Sequence, residues 1–179
     1  MIVFNDVITG AQIMSDSYKQ EPLMFNGVKI EGLFLVRSRW STKSGVVIEG
    51  ENPSAEAEAA ADDGEEKVNN IIDKECGFGY KTGPDMGGFT LQQFMKVYKD
   101  WCKAVKGKLV EKDIRPKPFM RSAKAAVPFL KRQRKNMEIF YNKDKNTASF
   151  ILGWWDDVAN ANGCQTFIYF KHATIEEKY

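Results

Sequence analysis

Residues 90–135 read TLQQFMKVYKDWCKAVKGKLVEKDIRPKPFMRSAKAAVPFLKRQRK. Leu91, Phe94, Met95, Tyr98, Trp101, Cys102, Val105 and Leu109 recur at spacings of three and four. That period gathers them on one face of an α-helix, and Thr90 stands where an N-cap belongs. The run DIRPKP then breaks the pattern. Proline lacks an N–H and suits a first helical turn, so Pro116 and Pro118 mark a tight connection and the start of a second helix. Phe119, Ala123, Ala126, Val127 and Leu130 supply the apolar side of that helix. Pro128 falls inside it and predicts a kink or a restart. The stretch reads as a helical hairpin over residues 90–135.

Both flanks read as strands. Upstream, MIVFND is short and β-rich, MFNGVKIEG turns at Asn26-Gly27, and LFLVRSRW is a further apolar run. Residues 41–66 lose this pattern and read as a flexible acidic loop. ENPSAEAEAAADDGEE, at 51–66, has seven acids, no aromatic and no β-branched residue, and Pro53 and Gly64 punctuate it. Val68, Ile71, Ile72, Phe78 and Tyr80 then suggest one strand through 67–80, and TGPDMGG a turn-rich link. Downstream, MEIFYN, ASFILGWW and QTFIYFK read as strands, with turns at Asn146 and NANG. Strands, acidic insert, hairpin, strands is an α+β order with segregated helices. It lacks the βαβ alternation of a nucleotide-binding sheet.

The chain has 179 residues, which suits one domain. No run of eighteen apolar residues predicts a transmembrane helix, and MIVFNDVITG has no signal-peptide pattern. Cys76, Cys102 and Cys164 form no C-x-x-C pair, so free thiols are expected and a structural zinc is not. The one histidine, His172, stands in none of the contexts of a hydrolase triad. The glycines of CGFGYKTG match neither phosphate-loop pattern, and Asp156-Asp157 falls at an expected turn. The chain is expected not to be an enzyme.

Charge is more informative. Formal net charge is only +2, yet residues 96–135 hold fourteen Lys and Arg against three acids, a local +11. Residues 49–75 hold ten acids against two lysines, a local −8. Lys96, Lys99, Lys103 and Lys106 form a stripe off the first helix's apolar face, and Lys117 and Arg121 open the second helix. Two readings stay open: a solvated outer face, or a surface steering an acidic partner. Tubulin's acidic tails and acidic protein faces fit the second. Nucleic acid is disfavoured, because no zinc-finger or RNP-type aromatic signature accompanies the charge.

Four stretches resemble the translationally controlled tumour protein family, in the same order and across essentially the whole chain. MIVFNDVITGAQIMSDSYK resembles its N-terminus, through Ser15, Asp16, Tyr18 and Lys19. ENPSAEAEA is similar to its first signature, through Asn52, Ser54 and Glu56. YKDW, KGKLVEK and RPKPFM resemble its hairpin, through Tyr98, Lys99, Asp100, Lys106, Gly107, Lys108, Leu109, Lys117, Pro118, Phe119 and Met120. FIYFKHATIEEKY resembles its closing strand and tail. The second signature departs: Phe140-Tyr141 precedes Asn142-Lys143, not Gly-Glu.

The resemblance implies a single domain over 1–179, a mainly β core of β-tent type similar to small Rab accessory proteins, a protruding helical hairpin and a mobile acidic loop. It implies a cytoplasmic, mostly monomeric, multi-partner protein of growth and survival control. It also implies calcium binding, tubulin and microtubule association, contacts with small GTPases and elongation factors, and anti-apoptotic roles. Calcium takes several oxygen ligands, so Glu56, Glu58, Asp62 and Asp63 are the candidate ligands. Ordering such a segment opposes binding, which is expected to be weak. The alternative function is regulation of a small GTPase, as exchange factor or chaperone. Gln12 would face the GTPase, and its neutral amide stands where the family's implicated residue is acidic.

Overall fold

The structure is a computed structural model that describes residues 1–43 and 66–179. Its strands pair antiparallel in three sheets. In the first, β1 (Ile2–Asp6) lies between β2 (Gln12–Ser15) and β11 (Thr174–Lys178). The second has six strands, in the order β3 (Glu21–Phe25), β4 (Val28–Arg37), β10 (Thr166–Phe170), β9 (Ile151–Trp154), β8 (Met137–Tyr141) and β7 (Lys81–Asp85). The third pairs β5 (Trp40–Thr42) with β6 (Lys67–Asn69). Among the described residues three α-helices follow the same numbering: α1 (Leu91–Glu111), α2 (Lys117–Gln133) and the short α3 (Asp157–Asn162). The α+β class with a sheet core is what the sequence implied.

Side chains alternate across a strand, so a strand covered on both faces feeds two cores. β4 sends Leu33 and Leu35 into one core and Phe34 and Val36 into the other. β10 divides Ile168 and Phe170 from Phe167 and Tyr169 in the same way. The helical hairpin covers the first face with Phe94, Tyr98, Trp101, Phe119 and Leu130. The three-stranded sheet covers the second with Phe4, Ile13 and Met14. The six-stranded sheet is thus the middle of three layers. Each fully buried Phe or Leu there contributes about 1.5–3 kcal/mol of apolar burial.

Two backbone features set the β3–β4 end of this sheet. Asn26 (φ 52°) and Gly27 (φ 74°) occupy the left-handed region that a two-residue hairpin needs, and they join Phe25 to Val28. Gly32 (φ 81°) lies within β4, where a Cβ would meet Ser122 Oγ of α2 at 2.0 Å. Only a residue without a Cβ lets helix and strand approach this closely.

Several expectations are corrected. The upstream runs at 24–32 and 33–40 are not separate strands: β4 continues through Gly32 to Arg37. Residues 67–80 are not one strand. After β6, Asn69 Oδ1 accepts from Ile71 N (2.9 Å) and Ile72 N (3.1 Å), and Asp73 Oδ2 accepts from Glu75 N (2.8 Å) and Cys76 N (2.9 Å). These side chains capture the backbone donors a ladder would need, so the chain curls. The expected link at 82–88 supplies most of β7, an edge strand, where Pro84 leaves no ladder donor missing. The NANG turn is the end of α3. Asp156 caps that helix through Ala159 N (2.9 Å), and Gly163 (φ 73°) closes it. Pro128 does not interrupt α2, which runs unbroken over 17 residues. Pro128 and Lys124 are both exposed, so water can satisfy the Lys124 carbonyl that the proline leaves unpaired. Of the expected acidic loop 41–66, Ser41 and Thr42 belong to β5 and residues 44–65 lie outside the described residues.

Candidate functional site

Thr90 and Gln93 form a capping box at the start of α1. Thr90 Oγ1 accepts from Gln93 N at 3.1 Å, and Thr90 N donates to Gln93 Oε1 at 2.8 Å. From there α1 buries Phe94, Tyr98, Trp101, Cys102, Val105 and Leu109. A turn of about 100° per residue then sends Lys96, Lys99, Lys103 and Lys106 outward, and all four are exposed.

Trp101 anchors this helix to the sheet. Its ring centroid lies 5.1 Å from those of both Phe150 and Phe170 and meets Phe119 edge-on at 5.5 Å. Its Nε1–H donates to Ser149 Oγ at 3.0 Å, and the Ser149 hydroxyl donates to Asp6 Oδ1 at 3.0 Å. Asp6 Oδ2 also accepts from Thr9 N (3.0 Å) and Thr9 Oγ1 (2.7 Å). Three donors thus compensate the desolvation of a buried carboxyl group. They also tie α1 to β1.

On the outer side, an open concavity of about 890 Å³, counted out to solvent, is lined by Leu91, Gln92, Met95, Lys96, Lys99, Asp100, Lys103 and Lys131. Lys131 comes from the far end of α2, which runs antiparallel to α1 in the hairpin. The structure therefore brings together Lys96, Lys99 and Lys103 of the expected site. Lys106, Lys117 and Arg121 are exposed but lie outside this lining. None of the four lining lysines forms an ion pair among the described residues. Their charge stands uncompensated except by Asp100 and screening ions. Leu91, expected on the core-facing side, is 39% exposed, and Met95 is half-buried, so the wall is partly apolar. Lys131 is not among the residues the sequence points to, since no spacing within one helix reports a residue from the other.

The other candidates are dispersed. Gln12 is exposed on β2, an edge strand, in register with Asn5. The candidate calcium ligands Glu56, Glu58, Asp62 and Asp63 lie outside the described residues. Among the described residues no group of three or more His, Cys, Asp or Glu is placed to hold a metal ion. His172 is exposed and makes no hydrogen bond among the described residues; partial burial and Lys171 lower its pKa. Asp156 and Asp157 do not act together: Asp156 pairs with Arg37 at 2.9 Å and accepts from Thr166 Oγ1 at 3.0 Å, while Asp157 is exposed. Cys102 and Cys164 are buried, and burial pushes both thiols up to about 11, away from thiolate chemistry. Cys76 is half-buried and unbridged. No described helix is long and apolar enough to cross a membrane.

Fold and site together define an α+β protein whose basic helical hairpin is seated on one face of an antiparallel sheet. The chain belongs to the translationally controlled tumour protein family, whose model matches residues 1–175. It is 27% identical over 189 aligned residues to the translationally-controlled tumor protein homolog of Schizosaccharomyces pombe, with all of both chains covered. It is 28% identical over 185 residues to the Candida glabrata homolog, covering 99% of each. The solved structure of translationally controlled tumor-associated protein p23fyp from S. pombe shares the fold. Its TM-score is 0.65 at 24% identity, over the full length of both chains. This family is not a known family of enzymes.

Proposed function

We propose that the chain is a non-enzymatic cytosolic interaction protein whose basic hairpin docks acidic partners, with the acidic tails of tubulin foremost, in growth and survival control. One observation carries this reading: four lysines from two helices surround one hollow without an ion pair among the described residues. Uncompensated like charge at such spacing raises the local potential and speeds encounter with an anion. The test is microtubule co-sedimentation of the Lys96→Glu/Lys99→Glu/Lys103→Glu variant. Its bound fraction should fall severalfold, and the wild type's should fall with added salt. Unchanged sedimentation refutes the reading. Weak calcium binding by the acidic segment is a further part of the proposal, resting on its carboxylates alone. Calorimetry with millimolar calcium tests it, and no heat refutes it.

Regulation of a small GTPase, with an elongation factor as a related partner, is the second reading. It is favoured by the exposed position of Gln12 on the open edge of β2. Nucleotide release from a panel of GTPases tests it, and neither acceleration nor complex formation would remove it.

A further inference from the structure

The concavity on the hairpin has more than charge. Leu91 and Met95 give it an apolar wall beside Lys96 and Lys99, and Lys131 closes it from α2. Exposed apolar surface ringed by cations gains stability when an apolar group covers it while anions meet the ring. We propose that this hollow docks an extended acidic peptide segment bearing one bulky apolar side chain. That side chain seats on Leu91 and Met95, and its carboxylates face Lys96, Lys99, Lys103 and Lys131. The inference rests on the reading of the hairpin as a surface for acidic partners, and it names the partner's local chemistry.

The dimensions set the length of the segment. Met95 to Lys103 is about 12 Å along α1 at 1.5 Å per residue. An extended chain covers that in about four residues. The segment is therefore one apolar residue followed by about four, most of them acidic. Asp100 sets a further rule. It lies in the lining between the lysines, so an unbroken row of carboxylates meets repulsion there. A neutral residue opposite Asp100 binds better than a glutamate. A peptide fits better than the other anionic partners. A bilayer is too flat to enter a hollow between two helices. A nucleic acid strand would be expected to stack on aromatic rings, and the lining has none.

The experiment uses two fluorescein-labelled pentapeptides, phenylalanine or glycine followed in each by glutamate, serine and two glutamates, the serine standing opposite Asp100. Fluorescence anisotropy is read at low and at physiological salt with the full chain. The phenylalanine peptide should bind about tenfold tighter, the ratio of one well-covered side chain. Leu91→Ser/Met95→Ser should erase that ratio while the glycine peptide keeps its affinity. Met95→Gln should reduce it, a second reading if circular dichroism shows that the double variant has lost helix. Lys131→Glu should weaken both peptides severalfold. Lys143→Glu, an equal change of charge at the exposed residue beside Gly79, should weaken them far less.

Equal affinity of the two peptides, or no binding of either, overturns the inference. So does tighter binding of a phosphatidylserine vesicle or a single-stranded oligonucleotide. Co-sedimentation of the same variants separates this from the broader reading. Lysine-dependent sedimentation with equal peptides leaves the function standing and removes the site. A peptide preference without lysine-dependent sedimentation does the reverse.

Discussion

Gly32→Ala tests how the helical hairpin sits on the sheet. Gly32 has φ 81°, and an L-residue in the left-handed region is disfavoured by about 1–2 kcal/mol. A Cβ there would lie 2.0 Å from Ser122 Oγ and 2.9 Å from Ser122 Cβ. Turning the hydroxyl away removes the first overlap but not the second, so α2 itself must shift. Overpacking of this kind destabilises by about 1–3 kcal/mol. We expect a total loss of about 2–5 kcal/mol, a large part of the roughly 5–15 kcal/mol of a typical domain. Ser122→Gly clears the space. Alone it should destabilise by about 1 kcal/mol, from glycine's poor helix propensity. Combined with Gly32→Ala it should restore the overlap part and leave the backbone part. The two changes should therefore be non-additive by about 1–3 kcal/mol in the stabilising direction. Urea unfolding of the four proteins, followed by tryptophan fluorescence and far-UV circular dichroism, measures the cycle. A neutral Gly32→Ala, or additivity within about 0.5 kcal/mol, would refute the close packing of α2 on β4.

Further outcomes are expected elsewhere. Arg37 bridges Glu21 and Asp156, both at 2.9 Å, and Arg37→Met strands Asp156, whose side chain is only 12% exposed; urea melts should show a loss of about 2–4 kcal/mol. The buried Tyr80 hydroxyl donates to the Ile13 carbonyl and lies 2.9 Å from the Tyr169 hydroxyl, so Tyr80→Phe should destabilise by about 1–3 kcal/mol in the same assay. Cys76 should react with a thiol reagent in the native state, and buried Cys102 and Cys164 only on unfolding; one fast thiol against two slow ones is the result to look for. Burial raises Cys102 and Cys164 from 9.0 to about 11, so the folded state holds their protons longer than the unfolded state does. Their contribution is fully present below pH 9 and is lost as pH rises from there through 11, so the urea midpoint should fall across that alkaline range.

Elements with local signals can be read from the residues alone. The hairpin was legible because residues three and four apart share a helix face, and Thr90 and the prolines at 116 and 118 bound it. β1, β8 and β10 were legible as short apolar runs, and the turn at Asn26-Gly27 by its demand for positive φ. The family was legible because its motifs are contiguous. The curl of residues 70–77 appears in the folded chain and not in the apolar pattern, since Asn69 and Asp73 side chains take the backbone donors there. Tertiary packing alone decided that the six-stranded sheet is covered on both faces, because alternation names two faces but not what lies on them. It also decided the candidate site. The lysine stripe of α1 repeats along one helix and can be read from spacing. The hollow needs Lys131 from the other helix and an α1 held in place by Trp101, through Ser149, on Asp6. Those partners are 48 and 143 residues apart in the chain, and helical periodicity is blind beyond a few turns.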